Sequence, residues 1–353
     1  MKVQFDKINI HLTQQLPFVV YCKPNSSKVV GLLQQDDRLY AASDFKESGF
    51  LFASFDGNSK VMIPEALSDR ITFDKDFSGF EPEEKIIEHQ NTSEKKNFET
   101  LVQSGIDAIS RNNFKKVVLS RKETVSLNEF DLLEAFQRLL QLYPTAFVYC
   151  FFHPKIGTWL GATPEQLIQS DGKGFETVSL AGTQKDVGNT QIKWHSKEQE
   201  EQQFVTDYIV EKLKNKVSDC MVSAPFNVKA GLVWHIKTTI NAVFNTDTNL
   251  KQIVELLHPT PAVCGLPKED AKAFILKKEG YDRKFYTGFL GELNSKDVNN
   301  ASTSDLFVNL RCMEIDGDQA HIYIGCGITK DSVPEKEWEE SLNKSVTMKR
   351  VLS

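Results

Sequence analysis

The stretch that decides the fold holds FYTGFLGE at 285–292, LFVNLRCMEI at 306–315 and HIYIG at 321–325. Three apolar, strand-favouring runs follow one another, and no helical period separates them. Strands joined by short links pair antiparallel, because a parallel pair needs a long crossover. Further strands are expected at 116–121, 146–152, 158–162 and 175–180. Helices are expected at 129–143, 197–214, 250–257, 268–278 and 335–352, interleaved irregularly with them. The pattern predicts an α+β protein with a mostly antiparallel sheet and helices outside it, rather than a doubly wound parallel sheet.

The rest of the chain fits that frame. Its 353 residues are 40% hydrophobic and 25% charged, an ordinary globular balance that can bury a sizeable core. A net charge of -6 argues against nonspecific nucleic-acid binding, yet leaves room for a small anion at a locally positive site. No run of 18 or more apolar residues exists, and the first twenty residues hold no apolar block. Neither a membrane span nor a secretory leader is expected, so the protein reads as cytoplasmic. Its six cysteines are far apart and form no C-x-x-C pair, which reads as reduced thiols. EHQNTSEKKN at 88–97 is the most linker-like segment, followed by a helical period through Phe98, Val102, Ile106 and Ile109. The linker separates residues 1–95, short strands such as FVVY at 18–21 and GFLFA at 49–53 without a usable motif, from residues 96–353, which carry the candidate chemistry.

Two helices open alike. In the first, Ser196 with Gln199 reads as a capping box, and Glu198, Glu201, Val205 and Ile209 share one face. Two carboxylates therefore head the apolar stripe, where a purely structural helix would place them opposite. In the second, Ser332 with Glu335 reads as another capping box, and Pro334 suits a first turn. Glu337, Glu340 and Lys344 occupy one arc, with Trp338, Leu342 and Val346 pointing away. Each helix alone has an ordinary explanation: acidic residues favour a helix N-terminus, and Glu with Lys at i,i+4 is a common surface pair. If the two Glu-x-x-Glu faces meet, they make an oxygen-rich cavity without histidine or cysteine, suited to a hard cation, Mg²⁺ above all. Such a cation shares its carboxylates with a negative substrate.

Anion-binding groups are at hand. Arg311 alternates with Phe307, Asn309 and Met313 along the strand at 306–315 and can grip a carboxylate with two hydrogen bonds. Gly325-Cys326-Gly327 ends a strand, and Ala181-Gly182-Thr183 makes a second turn where backbone N–H groups can approach an anion. Lys116 shares a strand face with Val118 and Ser120, while Lys115 begins the other face with Val117 and Leu119. A lysine on an apolar face either snorkels at the strand end or, with its pKa lowered by burial, serves as a base. Gly161-Ala162-Thr163-Pro164-Glu165 closes a strand and is expected to open a helix, capped by Thr163 with Pro164 at its first position. Glu165 there can be a general acid if burial raises its pKa.

These residues resemble the chorismate-utilising enzymes, and among them the isochorismate synthases, from about Lys115 to the C-terminus. The most specific segment is LHPTPAVCGLP at 257–267. KVVLSR (116–121), GATPE (161–165), LAGT (180–183), NLRC (309–312), GCGI (325–328) and EWEESLNK (337–344) fall in the family's order. The resemblance implies a single large domain of two stacked, mostly antiparallel sheets flanked by helices, with the site between them, and a monomer. It implies Lys116 as general base, Glu165 as general acid, and Glu201 and Glu340 as Mg²⁺ ligands with Glu198 and Glu337 in support. Arg311, Lys344 and the backbones of Gly182 and Gly327 would hold the carboxylates of chorismate. Water would add at C2 of the ring and the C4 hydroxyl would leave, giving isochorismate for menaquinone, siderophore or salicylate synthesis. One departure is Gln202, where many members have a histidine after the metal glutamate.

Other chorismate enzymes are the nearest alternative: the large subunits of anthranilate or aminodeoxychorismate synthase, or a salicylate synthase. Those relatives resemble one another in a threonine where this chain has Ala262, and a methyl cannot steer a nucleophile or an elimination as a hydroxyl can. A non-catalytic anion-binding protein is the alternative from another class, and the joint presence of base, acid and metal ligands speaks against it.

Overall fold

The computed structural model describes residues 2–76, 92–185, 192–230, 233–296 and 301–352. The chain opens with α1 (Lys2–Thr13), β1 (Phe18–Cys22), β2 (Lys28–Gln34), β3 (Tyr40–Ala41), β4 (Gly49–Ala53), β5 (Lys60–Pro64) and β6 (Ser68–Asp74). It continues through α2 (Thr92–Ser110), β7 (Lys116–Ser126), α3 (Leu132–Leu142), β8 (Phe147–His153), β9 (Gly157–Thr163), β10 (Gln166–Ser170) and β11 (Gly174–Lys185). Next come α4 (Ser196–Leu213), β12 (Val217–Val222), β13 (Phe226–Ala230), β14 (Val233–Phe244), α5 (Leu250–Leu257), β15 (Gly265–Leu266) and α6 (Lys268–Lys278). It closes with β16 (Phe289–Lys296), β17 (Ser302–Val308), β18 (Cys312–Asp316), β19 (Gln319–Ile328) and α7 (Pro334–Lys349).

Among the described residues the strands form two sheets, and every pairing is antiparallel. The first runs β15-β7-β19-β18-β9-β8-β1-β2-β6 and the second β12-β14-β11-β10-β17-β16-β4-β5-β3, with β13 also on β14. The α+β class and the two stacked sheets are as expected. Strands from residues 18–74 extend both sheets, β1 beside β8 in one and β4 beside β16 in the other.

Central strands such as β1, β4 and β8 are buried on both faces, which explains why they read as unbroken apolar runs. In β1, Val19 and Tyr21 point between the sheets, while Phe18, Val20 and Cys22 point out toward the layer of α1 and α3. The inter-sheet core is aromatic: Phe52 stacks on Phe285 at 4.3 Å, Phe147 on Phe307 at 4.5 Å and Trp159 on Tyr323 at 5.4 Å. The helices α4 and α5 cover the second sheet through Val205, Ile209, Leu213, Ile253 and Leu257. A fourth cluster packs α2, α6 and α7 on β7 and β19 through Phe98, Val102, Ile275 and Trp338.

Several local expectations are corrected. The run at 306–315 is not one strand: β17 lies in the second sheet and β18 in the first, with the chain crossing between them at 309–311. The run at 285–292 begins as a turn and becomes strand only at Phe289. Thr163-Pro164-Glu165 opens no helix; it bridges β9 to β10 and so crosses from the first sheet to the second. Neither expected capping box forms: the N-caps are His195 and Val333, and neither makes a side-chain capping bond. Residues 88–91 of the expected linker lie outside the described residues, and from Thr92 the chain is already helical. The helix α1 and the strands β12, β13 and β14 had no counterpart in the sequence reading.

Candidate active site

At one end of the first sheet β7 begins at Lys116 beside the end of β19 at Ile328, and β18 begins at Cys312 beside the end of β9 at Thr163. Gly327 lies opposite Val118, and a Cβ there would come within 3.2 Å of Lys116 Cε. Glycine thus leaves the space that the Lys116 stem occupies. Burial pushes the Lys116 ammonium below its ordinary value, Glu201, Glu165 and Glu340 oppose that shift, and Lys344 adds to it. Those four charged groups are its electrostatic neighbours. Lys115 is exposed and lies over the Phe204 ring at 5.8 Å, away from the group.

The two chain crossings meet at this end. Thr163 Oγ1 donates to Val308 O at 2.6 Å, Val308 N donates to Glu165 O at 2.9 Å, and Ala162 N donates to Arg311 O at 3.0 Å. The crossings are hydrogen-bonded side by side, and they deliver Glu165 and Arg311 to one place. Burial pushes the Glu165 carboxyl up to about 7, against the pull of Lys116, Arg311 and Lys344. Arg311 adopts φ 48°, the left-handed region, so it is a corner residue and not one of an alternating strand. Burial lowers its pKa from the ordinary arginine value, and Glu340 is among the groups that oppose the shift.

The carboxylate helices approach from two sides. On α7, Lys344 Nζ donates to Gly325 O at 2.9 Å and pairs with Glu340 at 2.6 Å. Ligand atoms of Cys326, Glu337 and Glu340 lie within 4.8 Å of one another. Burial pushes the Cys326 thiol up to about 12, so it stays protonated and the charged donors there are carboxylates. On α4, Glu198 Oε2 is buried without a hydrogen-bond partner. Glu198 and Glu201 stand outside the α7 group, and Glu201 is tied to the site through its influence on Lys116. Carboxylate oxygens, one of them buried and unpartnered, fit a hard divalent cation such as Mg²⁺.

The far face of α7 is pinned to β7. Arg121 stacks over Trp338 at 4.6 Å, donates to Ser341 Oγ at 2.9 Å and pairs with Glu123 at 2.9 Å. Lys349 pairs with Glu123 at 2.5 Å, and both are buried.

The second sheet supplies the remaining wall. Gly182 sits in a register shift of the β11–β14 pair with φ +72°, and a Cβ there would meet Glu198 Cβ at 3.3 Å. His235 on β14, missed in the sequence, holds Gly182 O through Nδ1 at 2.8 Å. A carbonyl can only accept, so Nδ1 carries the proton. Burial lowers the His235 pKa against its bond to Gly182 O, and the charges of Arg311 and Lys344 lower it further. Its strand could have been sought in WHIKTTINAVF at 234–244, where polar residues interrupt the apolar ones. Ala262 is half-buried in the turn after α5. That turn is bound to β7: Arg283 Nη1 donates to Val263 O at 3.1 Å and Nη2 to Val118 O at 2.7 Å, while Val118 N donates to Cys264 O at 2.8 Å.

A half-buried acid, a half-buried amine, carboxylates and cations at the end of two stacked antiparallel sheets define an enzyme for a small anionic substrate. The chain belongs to the family described as chorismate binding enzyme, whose model matches residues 56–353. It is 28% identical over 277 residues to isochorismate synthase EntC of Escherichia coli (strain K12), covering 75% of this chain and 69% of that one. Isochorismate synthase MenF of Bacillus subtilis (strain 168) is 28% identical over 250 residues, 68% of this chain and 52% of that one. Among solved structures, the menaquinone-specific isochorismate synthase MenF of Escherichia coli superposes with a TM-score of 0.79 at 21% identity, covering 96% of this chain and 89% of that one. Anthranilate synthase component I of Streptococcus pneumoniae TIGR4 does so with a TM-score of 0.72 at 15% identity, covering 94% and 90%. The fold is therefore common to relatives of differing names.

Proposed function

We propose that this protein is an isochorismate synthase in which Lys116 is the general base and Glu165 the general acid. The observation that carries the reading is their opposite shift within one group of interacting charges: the carboxyl rises to about 7 while the amine falls. Near neutrality Glu165 can donate a proton, and the lowered value of Lys116 favours the neutral amine that a base requires. Lys116 Nζ takes a proton from a water as its oxygen bonds to C2 of the ring. The ring double bonds each move one position, and the C4–O bond breaks. Glu165 gives its proton to the departing hydroxyl, which leaves as water, so substrate and product have equal mass. Arg311 and Lys344 grip the substrate carboxylates, aided by backbone N–H groups at Gly182 and Gly327. Glu201 and Glu340 would hold Mg²⁺, with Glu198 and Glu337 in support; when bound, the ion withdraws electron density from the ring through its carboxylate.

The test is product analysis with purified protein, chorismate and Mg²⁺, with and without ammonium. A new species of unchanged mass, lost on adding chelator, is the expected result. Pyruvate release, or an amine-bearing product, would place the chain with the lyase or amine-using members instead.

A further inference from the structure

Gln202 stands at the centre of the α4 face that meets the second sheet, next to Glu201 in sequence and in line with Val205 and Ile209. It is 2% exposed. Its amide nitrogen lies within hydrogen-bonding distance of three hydroxyls: Thr238 Oγ1 at 2.8 Å, Thr206 Oγ1 at 3.0 Å and Ser179 Oγ at 3.3 Å. Ser179 and Thr206 also donate to the main-chain carbonyl of Gln202, at 3.3 Å and 3.2 Å. Ser179 on β11 and Thr238 on β14 are direct cross-strand partners, so one side chain spans both strands.

Apolar contacts alone do not fix how a helix is rotated over a sheet, because hydrophobic attraction is non-directional. A buried amide does fix it, since a small rotation would leave donors and acceptors unpaired. The same two strands carry other site residues. Gly182 follows Ser179 on β11, His235 precedes Thr238 on β14, and the two are joined by the His235 hydrogen bond. The first turn of α4 rests against Gly182 through Glu198. Glu201 lies between that contact and the Gln202 network.

We propose that Gln202 is a positioning residue: its bonds to Ser179 and Thr238 lock the rotation of α4 over β11 and β14 and thereby aim the Glu201 carboxylate. The proposal rests on the metal-ligand role given to Glu201 above. Mn²⁺ serves as the probe, its free concentration read by electron paramagnetic resonance, beside turnover and thermal unfolding. Gln202→Leu, of similar length without the amide, is expected to weaken Mn²⁺ binding about tenfold or more. The loss should fall on the metal midpoint more than on kcat at saturating Mn²⁺. Thr238→Val, which removes only the shortest bond, should shift the midpoint in the same direction by less. Wild-type Mn²⁺ affinity in Gln202→Leu with only a lowered Tm would reduce the residue to a packing role and overturn the proposal. If Gln202→Leu does not fold, Thr238→Val decides, and an unshifted midpoint there overturns it. Mn²⁺ binding that survives Glu201→Gln unchanged would instead remove the metal reading, and this proposal with it.

Discussion

Lys116 and Glu165 each owe their protonation to burial, and this gives the residue-scale predictions their signs. The Lys116 amine is neutral only above its lowered pKa, and Glu165 is protonated only below about 7. Turnover should therefore fall as pH drops through the lysine value and as it rises through about 7; a rate–pH profile without an alkaline limb near 7 would contradict Glu165 as the acid. Lys116→Ala is expected to abolish turnover and spare chorismate binding by calorimetry, whereas equal loss of binding would sink its role as base. Glu201→Gln should raise the Mg²⁺ requirement sharply, and an unchanged metal titration would refute it as a ligand. Most of these groups were legible as motif positions that later met in space. Arg311 was legible in identity but not in geometry, since a crossing between two buried sheets keeps the apolar pattern of a continuous strand. His235 was not legible, because its strand mixes polar and apolar residues.

Among the elements, α7 shows what sequence periodicity can and cannot deliver. Its two faces were read from spacing alone: Glu337, Glu340 and Lys344 on the site side, and Trp338 buried opposite. The ion pair that ties it to β7 was not, because Glu123 and Lys349 are distant in sequence and meet only after β7 and α7 pack. Breaking a buried pair leaves an uncompensated charge. Glu123→Leu takes the shared partner from both Arg121 and Lys349 and should therefore cost about 3–5 kcal/mol in urea unfolding, whereas Lys349→Met leaves Glu123 paired with Arg121 and should cost less. Equal losses in the two variants would mean that Arg121 does not compensate Glu123. The missed capping boxes and the helix wrongly expected at Glu165 share one cause: short polar patterns recur in turns and strand bridges as readily as at helix starts.

The whole molecule is two sheets around an aromatic core, and its antiparallel character followed from strands that succeed one another without helices. The stacking itself came from resemblance, since periodicity does not say which sheet a strand joins. The core is not uniform with respect to the site. Phe147 pairs with Thr163 at the crossing end, while Phe151 pairs with Trp159 toward the other end. Both are fully buried, and replacing either by alanine should cost about 3–5 kcal/mol. Phe147→Ala should also lower kcat, whereas Phe151→Ala should leave kcat within about threefold when assayed well below Tm. Equal losses of kcat would deny any special status to the crossing end. The two hydrogen-bonded crossings act on the sheets as a staple acts on a sheaf of paper. Farther off, side-chain contacts such as the Tyr21 hydroxyl donating to Glu292 join the leaves. At the staple they cannot shear, and that is where the acid and the guanidinium are fastened, so the protein can be repacked through most of its depth without its chemistry losing its place.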